Sequence, residues 1–252
     1  MVYLVYDFEE NVLALKSFAI EEKDPVKLVS AVRSIYQSDF LLSLLYRKVR
    51  VLFDTEHYTL IPSRLYNEQE KESYFEQMVK MEDKASLLAD DLRDFRAYLL
   101  YPIHQNIFSA TKVQFPTAKI GHAISGVLSG CRSFTRETQE IYTFVNVQNR
   151  NLQVFVFDKE NLLFANTFAF ETSKDALYYL LLVFDQFKLK PDLSPVLLSG
   201  MIRENSEIYH LFFRYIKNLK FTPAPTNLKL GKQMEQEYLH QYFDIFSSTL
   251  LK

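Results

Sequence analysis

The chain has 252 residues and a net charge of −2, with 48% hydrophobic and 24% charged residues, which is typical of a globular protein. This charge gives no basic footprint for nucleic acid over the whole chain. No segment approaches the ~20 apolar residues of a membrane span, and the N-terminus lacks the basic and apolar regions of a secretory signal. Cys131 is the only cysteine, so no internal disulfide can form and a reduced, cytoplasmic setting is expected.

The chain begins with two predicted strands joined by a tight turn, at about Val2–Phe8 and Asn11–Ile20. Asp24 followed by Pro25 predicts the start of a helix, because aspartate caps a helix N-terminus and proline fits its first turn. Apolar residues then recur at helical spacing as far as Tyr36, which predicts one amphipathic helix after the hairpin.

The middle of the first half changes character. Residues 48–53 and 57–61 predict a second hairpin around Asp54. Residues 67–94 hold nine acidic and four basic residues and no proline, which predicts a solvated helix plus loop, forming a polar insertion in the first domain. Regular structure is then expected to return with Phe95–Tyr101, followed by a helix after Pro102 to about Val113, a strand at Ala118–His122, and a short helix through Cys131.

The second half has clearer patterns. A polar stretch at 133–140 predicts a domain linker. The expected elements after it are strands at 141–148, 151–158 and 162–170, a helix at 173–188, a strand at 195–199, a helix at 204–218, a short strand at 220–221, and a last helix at 232–247. The order is therefore three meandering strands, followed by helix, strand, helix, strand and helix.

Two distant segments resemble each other. Val5–Glu21 aligns with Val156–Glu171 when one residue of the turn is deleted, and both predict a hairpin that precedes an amphipathic helix. A period of about 150 residues is too long for a solenoid. We therefore expect two domains of one fold, at 1–133 and 141–252, with a cleft between them. The first copy is expected to lack its first strand, because Met1 falls where that strand would already have ended.

The element order, the repeat and the stretch Val196-Leu197-Leu198-Ser199-Gly200 ahead of a helix resemble the actin-like ATPase superfamily of actin, sugar kinases and Hsp70. The chain is also similar to an uncharacterised bacterial domain family with that fold, and more distantly to pilus-assembly proteins. The resemblance implies an α/β fold of some α+β character, built from duplicated ribonuclease-H-like domains in an actin-like ATPase architecture.

The resemblance also implies where ATP and Mg²⁺ would bind. Members of the superfamily carry a D-x-G turn whose backbone amides hold phosphate. The matching turn in the second domain runs from Gln148 to Asn151 without a glycine or a carboxylate. Asn149, Arg150 and Asn151 either approach a phosphate or form an ordinary hairpin turn, in which asparagine accepts left-handed geometry.

Ser199 and Gly200 occupy the place of the superfamily's adenosine motif. A single glycine followed by Met201 serves either close approach to a nucleotide or a tight turn at a strand end. All five glycines lie at or after Gly121. Because phosphate loops usually need glycine, the first half is poorly equipped for one.

Other site chemistries are not favoured. Metal-dependent nucleases of the related fold need carboxylates on the first and fourth strands, and the predicted strands do not supply the pair. Asp90, Asp91 and Asp94 are interpreted as a solvated surface run, and the five histidines lack zinc spacing. Cys131 is expected to be a small buried hydrophobe. We therefore expect no catalytic residue and no metal ligand.

Two functional hypotheses remain. The first is a non-catalytic binding or scaffold module, a pseudo-ATPase with a protein or peptide partner and no cofactor. The alternative is a nucleotide-binding ATPase or kinase with atypical phosphate loops that binds ATP and Mg²⁺. The aromatic C-terminal helix would dock on its own domain or on another protein. The oligomeric state stays open.

Overall fold

The computed structural model describes residues 1–22, 24–81, 84–223, 226–231, 234 and 236–251. The chain divides into two compact units, one of residues 1–3 and 14–125 and the other of residues 4–13 and 126–252. Within the described part, no helix has the length and apolar character needed to cross a bilayer.

The described residues of 1–135 form seven strands and five α-helices. They are β1 (Val2–Tyr6), β2 (Val12–Ser17), α1 (Pro25–Ser38), α2 (Phe40–Ser43), β3 (Arg50–Phe53), β4 (Thr59–Pro62), α3 (Lys71–Glu76), β5 (Ala85–Leu92), β6 (Ala97–His104), α4 (Gln105–Gln114), β7 (Lys119–His122) and α5 (Ala123–Thr135), with short 3-10 helices at Glu68–Glu70 and Arg93–Phe95. The sheets are the pair β1-β2, the parallel pair β3-β7, and β4-β6-β5.

The predicted N-terminal hairpin and helix start are both confirmed. In the turn between β1 and β2, the Asp7 carboxylate accepts the backbone N–H groups of Glu9 and Asn11, each at 2.9 Å. The Asp24 carboxylate accepts the N–H groups of Val26 and Lys27 at the start of α1. Both aspartates satisfy backbone donors that a turn or a helix end leaves without a regular partner.

The predicted hairpin of 48–53 and 57–61 is wrong. Strand β3 pairs in parallel with β7, and β4 pairs antiparallel with β6. The loop between them is held at Thr55, whose backbone N–H donates to the imidazole of His122 at 3.1 Å. This contact holds the loop against the end of β7.

The prediction of a solvated helix plus loop over 67–94 is wrong at its C-terminal end. Strand β5 pairs with β6 along its whole length, and its Leu87 joins Phe75 and Leu100 in a buried apolar cluster. Pro102, expected to precede a helix, lies inside β6. Because β4 pairs only with residues 97–100 of β6, the missing N–H of this proline removes no bond on that side of the strand.

The described residues after 135 form the predicted strands and the first two predicted helices, followed by a short C-terminal helix. They are β8 (Ile141–Gln148), β9 (Asn151–Asp158), β10 (Asn161–Ala169), α6 (Ser173–Gln186), β11 (Val196–Gly200), α7 (Glu207–Tyr215), β12 (Leu219–Phe221) and α8 (Phe243–Ser247), with 3-10 helices at Gln236–Tyr242 and Ser248–Leu250. The sheet order is β10-β9-β8-β11-β12. Strand β9 pairs antiparallel with both β8 and β10, and β11 pairs in parallel with both β8 and β12.

This five-stranded sheet holds the main core of the second unit. One face packs against α6 and α7 through residues that include Val145, Val154, Leu180, Leu198 and Phe212. The other face buries residues such as Phe144, Phe155 and Leu197. Since each fully buried large apolar side chain stabilises by ~1.5–3 kcal/mol, the central strands β8 and β9 are fixed from both sides.

The C-terminal segment docks on its own unit. Gly126 and Gly130 on α5 leave room for it: a Cβ at Gly130 would collide with Ser247, and one at Gly126 would lie 3.0 Å from the Cα of Ser248. Phe246 of α8 is buried. Part of the predicted helix at 232–247 lies outside the described residues, and Gln236–Tyr242 is a 3-10 helix.

Candidate functional site

The residues singled out from the sequence meet at one end of the five-stranded sheet. Strand β11 runs parallel to β8 with Gly200 opposite Val147. The N–H of Met201 donates to the carbonyl of Val147 at 2.6 Å. The end of β11 therefore lies beside the last residues of β8 and the turn that follows them.

The turn between β8 and β9 is a two-residue hairpin turn. Gln148 pairs with Asn151, which leaves Asn149 and Arg150 as the turn residues. Asn149 has φ of 52°, a left-handed conformation that asparagine tolerates. The carbonyl of Arg150 accepts the N–H of Phe170 at 2.8 Å. The pairing of β9 with β8 and with β10 thus accounts for the geometry of this turn.

Gly200 is required by close packing of the backbone. Its φ is 82°, in the region that favours glycine. A Cβ here would collide with the carbonyl oxygen of Val147 and lie 2.5 Å from Oδ1 of Asn146. The glycine therefore serves the contact between β11 and β8.

A buried polar network that the sequence reading missed lies next to Gly200. The Ser199 hydroxyl donates to Asn146 Oδ1 at 3.0 Å, and Asn146 Nδ2 donates to Gln153 Oε1 at 2.7 Å. These three side chains are at most 5% exposed and lie side by side on β11, β8 and β9. The available signal was the occurrence of Asn146 and Gln153 in otherwise apolar strands.

The network carries no formal charge. An amide and a hydroxyl supply neutral donors and acceptors, whereas Mg²⁺ in nucleotide sites is usually held by carboxylates together with phosphate. Among the described residues, no group of three or more His, Cys, Asp and Glu side chains could hold a metal ion. Chemically, this end of the sheet offers hydrogen bonds and the exposed Arg150 cation.

A second polar cluster lies in the first unit, around Asp90. Its carboxylate accepts the Tyr101 hydroxyl at 2.9 Å, the Ser125 hydroxyl at 2.5 Å and the backbone N–H of His122 at 2.8 Å. Burial raises the pKa of Asp90 although these hydrogen bonds act in the opposite direction. The interpretation of Asp90 as a solvated surface residue is therefore wrong, because strand alternation turns it inward while Asp91 stays exposed.

His122 is completely buried beside Asp90. Backbone N–H groups of Thr55 and Ile124 point at Nε2 and Nδ1, each at 3.1 Å. Burial lowers the pKa of His122 to about 4, so the ring is neutral at physiological pH. Ser125 gives its hydroxyl proton to Asp90 rather than to the imidazole, which differs from the nucleophile–base contact of a catalytic triad. The cluster therefore ties β5, β6 and β7 together.

Solved structures show the fold of this protein. A protein with an actin-like ATPase fold and unknown function from Bacteroides thetaiotaomicron is similar at a TM-score of 0.78 and 17% identity, over 88% of this chain and 86% of that one. A PilM-PilN type IV pilus biogenesis complex matches at 0.61 and 12%, over 99% and 92%. The ethanolamine utilization protein EutJ from Carboxydothermus hydrogenoformans matches at 0.51 and 9%, over 100% and 85%. The chain has the α/β, actin-like ATPase fold.

The chain belongs to the family described as "Protein of unknown function (DUF3822)", which matches residues 1–219. No curated protein matches the sequence. The predicted resemblance to a domain family with an actin-like ATPase fold is thereby confirmed. The duplication of two ribonuclease-H-like domains stays a prediction.

Proposed function

We propose that this protein is a non-catalytic actin-like-fold module that binds a protein partner, as a binding or scaffold component. The observation that carries the proposal is the neutral network of Asn146, Gln153 and Ser199, at the sheet end where the resemblance places the phosphate and adenosine contacts. Its polar groups are engaged with one another, and it brings no carboxylate to this position.

The residues at this sheet end do not fit Mg-ATP. A phosphate cradle needs backbone N–H groups that converge on the anion, usually from glycine-rich loops. Here a two-residue turn replaces such a loop, and Gly200 is packed against the Val147 carbonyl. We therefore propose that neither ATP nor Mg²⁺ is a cofactor of this protein, which makes it a pseudo-ATPase.

The partner is proposed to be another protein. The PilM-PilN complex, whose structure is similar to this chain, shows that this fold occurs in a protein assembly. The only thiol, Cys131, is buried, which accords with a reducing cytoplasmic location. No basic footprint calls for nucleic acid at a net charge of −2.

One observation favours the alternative, a nucleotide-binding ATPase or kinase with atypical loops. The two segments nominated from the sequence, Asn149–Asn151 and Ser199–Gly200, lie at the same end of the sheet. Arg150 is exposed there and would meet a phosphate as a cation. The two hypotheses therefore differ in whether a nucleotide changes the stability of the protein.

Thermal unfolding with and without millimolar Mg-ATP separates the two hypotheses. A ligand at a hundred times its dissociation constant stabilises the folded state by about 2.7 kcal/mol. We expect no change in melting temperature and no ATP hydrolysis. A Mg²⁺-dependent rise that disappears in Arg150→Ala, and persists in the control Lys159→Ala from the turn between β9 and β10, would establish the alternative.

A further inference from the structure

Strand β10 forms an uncharged edge of the five-stranded sheet. Its nine residues include no charged residue and no proline, the devices that usually protect an exposed edge from pairing with other chains. None of its residues is fully buried, whereas six residues of the neighbouring β9 are. Among the described residues, β10 pairs with β9 alone.

The backbone groups of β10 that face outward can be assigned from the pairing. The N–H of Phe170 donates to Arg150 across the sheet, and the direction of backbone groups alternates along an antiparallel strand. Ala165, Thr167 and Ala169 therefore turn their N–H and C=O groups away from β9. The N–H of Thr167 is accepted by the side chain of its neighbour Asn166 at 2.9 Å, which agrees with this assignment.

A row of aromatic side chains follows the same edge. Ring contacts link Tyr178 to Tyr179 at 5.6 Å, Tyr179 to Phe168 at 4.8 Å, Phe168 to Phe164 at 6.4 Å, and Phe164 to Phe187 at 5.6 Å. Tyr178 is 62% exposed, and the other four rings are half-buried. Leu182, one helical turn after Tyr178 on α6, is 46% exposed. The core of the second unit is thus incompletely covered along β10.

We propose that the β10 edge binds an extended segment of a protein partner, which adds a strand to the sheet and lays apolar side chains at alternate positions over the aromatic row. The occupant is an extended segment because the edge offers a line of backbone donors and acceptors. The centre of this segment is expected to be uncharged. A charge there would lose its hydration on pairing, and β10 has no charged residue to compensate for it. This inference rests on the proposed function, because it requires a protein partner.

A displayed library of random twelve-residue peptides, screened against the full chain, tests the proposal. We expect enriched peptides with apolar residues at alternate positions and no central proline. The affinity of the best peptide, measured by fluorescence anisotropy, should fall at least about tenfold in Ala165→Pro, which removes an outward N–H, and in Tyr178→Lys, which removes the exposed end of the aromatic row. The control Tyr215→Lys, at a tyrosine of α7 that is 48% exposed, should bind normally. Melting curves of each variant show whether it is folded, and Tyr178→Lys changes only an exposed helix position.

Several results would overturn the proposal. One is the absence of enriched peptides whose binding depends on Ala165 and Tyr178. Another is a dimer in light scattering that Ala165→Pro converts to monomer, since the occupant would then be a second copy of this chain. Neither result bears on nucleotide binding, and a Mg-ATP response would in turn defeat the non-catalytic function while leaving the peptide site intact.

Discussion

A backbone N–H group is directed at each ring nitrogen of the buried His122, from Thr55 at Nε2 and from Ile124 at Nδ1. A neutral imidazole has one acceptor nitrogen, and an imidazolium has none. Whichever ring nitrogen is the acceptor, protonation would place a new ring N–H against the backbone N–H that this nitrogen accepts, at a fully buried side chain. Thr55 Oγ1, at 3.0 Å from Nε2, can accept the ring proton of the tautomer that keeps Nδ1 as the acceptor.

This arrangement predicts acid sensitivity. The pKa of His122 is about 4 in the folded chain against about 6.5 when unfolded, so the unfolded state binds more protons between these values. The contribution of His122 should lower the free energy of unfolding by about 2–3 kcal/mol as pH falls from 7 to 4.5. Urea denaturation at both pH values should show this loss in the wild type and a smaller one in His122→Gln.

Asp90 acts in the opposite direction. Its pKa is raised in the folded chain, so the folded state takes up this proton at a higher pH than the unfolded chain does, and stability rises as pH falls through that range. Because both proteins retain Asp90, its effect largely cancels in the comparison. Equal loss of stability in the wild type and in His122→Gln would contradict the assignment of the proton to His122.

At the scale of elements, the contact of α5 with the C-terminal segment depends on two glycines. The C-terminal chain runs so close to Gly130 that a methyl group there would collide with Ser247 and lie 3.0 Å from the ring of Phe243. Interiors are packed too densely to absorb such an addition without a shift of side chain or backbone. The segment is therefore held by surface fit as well as by the burial of Phe246.

Gly130→Ala should lower the free energy of unfolding by about 1–3 kcal/mol, the usual cost of overpacking. The control is Gly231→Ala, where an added Cβ meets no described atom within 4 Å. Denaturant titration of both variants measures the difference. Equal stability of the two alanine variants would mean that the C-terminal segment is not packed on α5 as described.

The elements could be predicted from sequence where local signals agree. Helix α6 begins at a capping box formed by Thr172 and Asp175 and follows three strands of clear length, so the second unit was predicted in order. The pairing of β3 with β7 joins residues about 70 positions apart, and no local sequence pattern indicates it. Strand β5 was missed because Asp90 and Asp91 interrupt its apolar residues, and the sequence does not distinguish the inward-facing Asp90 from the exposed Asp91.

At the scale of the site, the sequence nominated the two segments but not the network between them. Asn149 and Gly200 were recognisable because left-handed turns and strand ends favour these residue types. The hydrogen bonds among Asn146, Gln153 and Ser199 depend on the register of three strands. That register is a tertiary property, so a single sequence does not reveal which polar side chains meet.

At the scale of the whole molecule, burial is unevenly distributed. Among the described residues, 141–221 form one five-stranded sheet, whereas 1–125 hold two-stranded and three-stranded sheets. Helix α1 has 14 residues and none of them is fully buried. Helix α6 has the same length and buries Ala176, Leu177, Leu180, Val183 and Phe184. Local stability follows such differences in buried apolar contact.

Native-state hydrogen exchange should therefore separate these two helices of equal length. We expect the amides of β8 and β9 to exchange most slowly, and the central amides of α6 to exchange at least about tenfold more slowly than those of α1, because opening α6 exposes core residues. The experiment can be followed by mass spectrometry of peptides from each helix. Equal protection of α1 and α6 would show that half-buried contacts hold α1 as firmly as a full core contact.

Cys131 lies fully buried in α5, and burial raises the pKa of its thiol. Because reactive cysteines are exposed thiolates, maleimide reagents should leave the folded native chain unmodified. A cysteine introduced at any exposed position would then be the one reactive thiol, without removal of the natural residue. Dyes or spin labels could thus be attached singly beside β10 or on α1 in an otherwise unaltered protein.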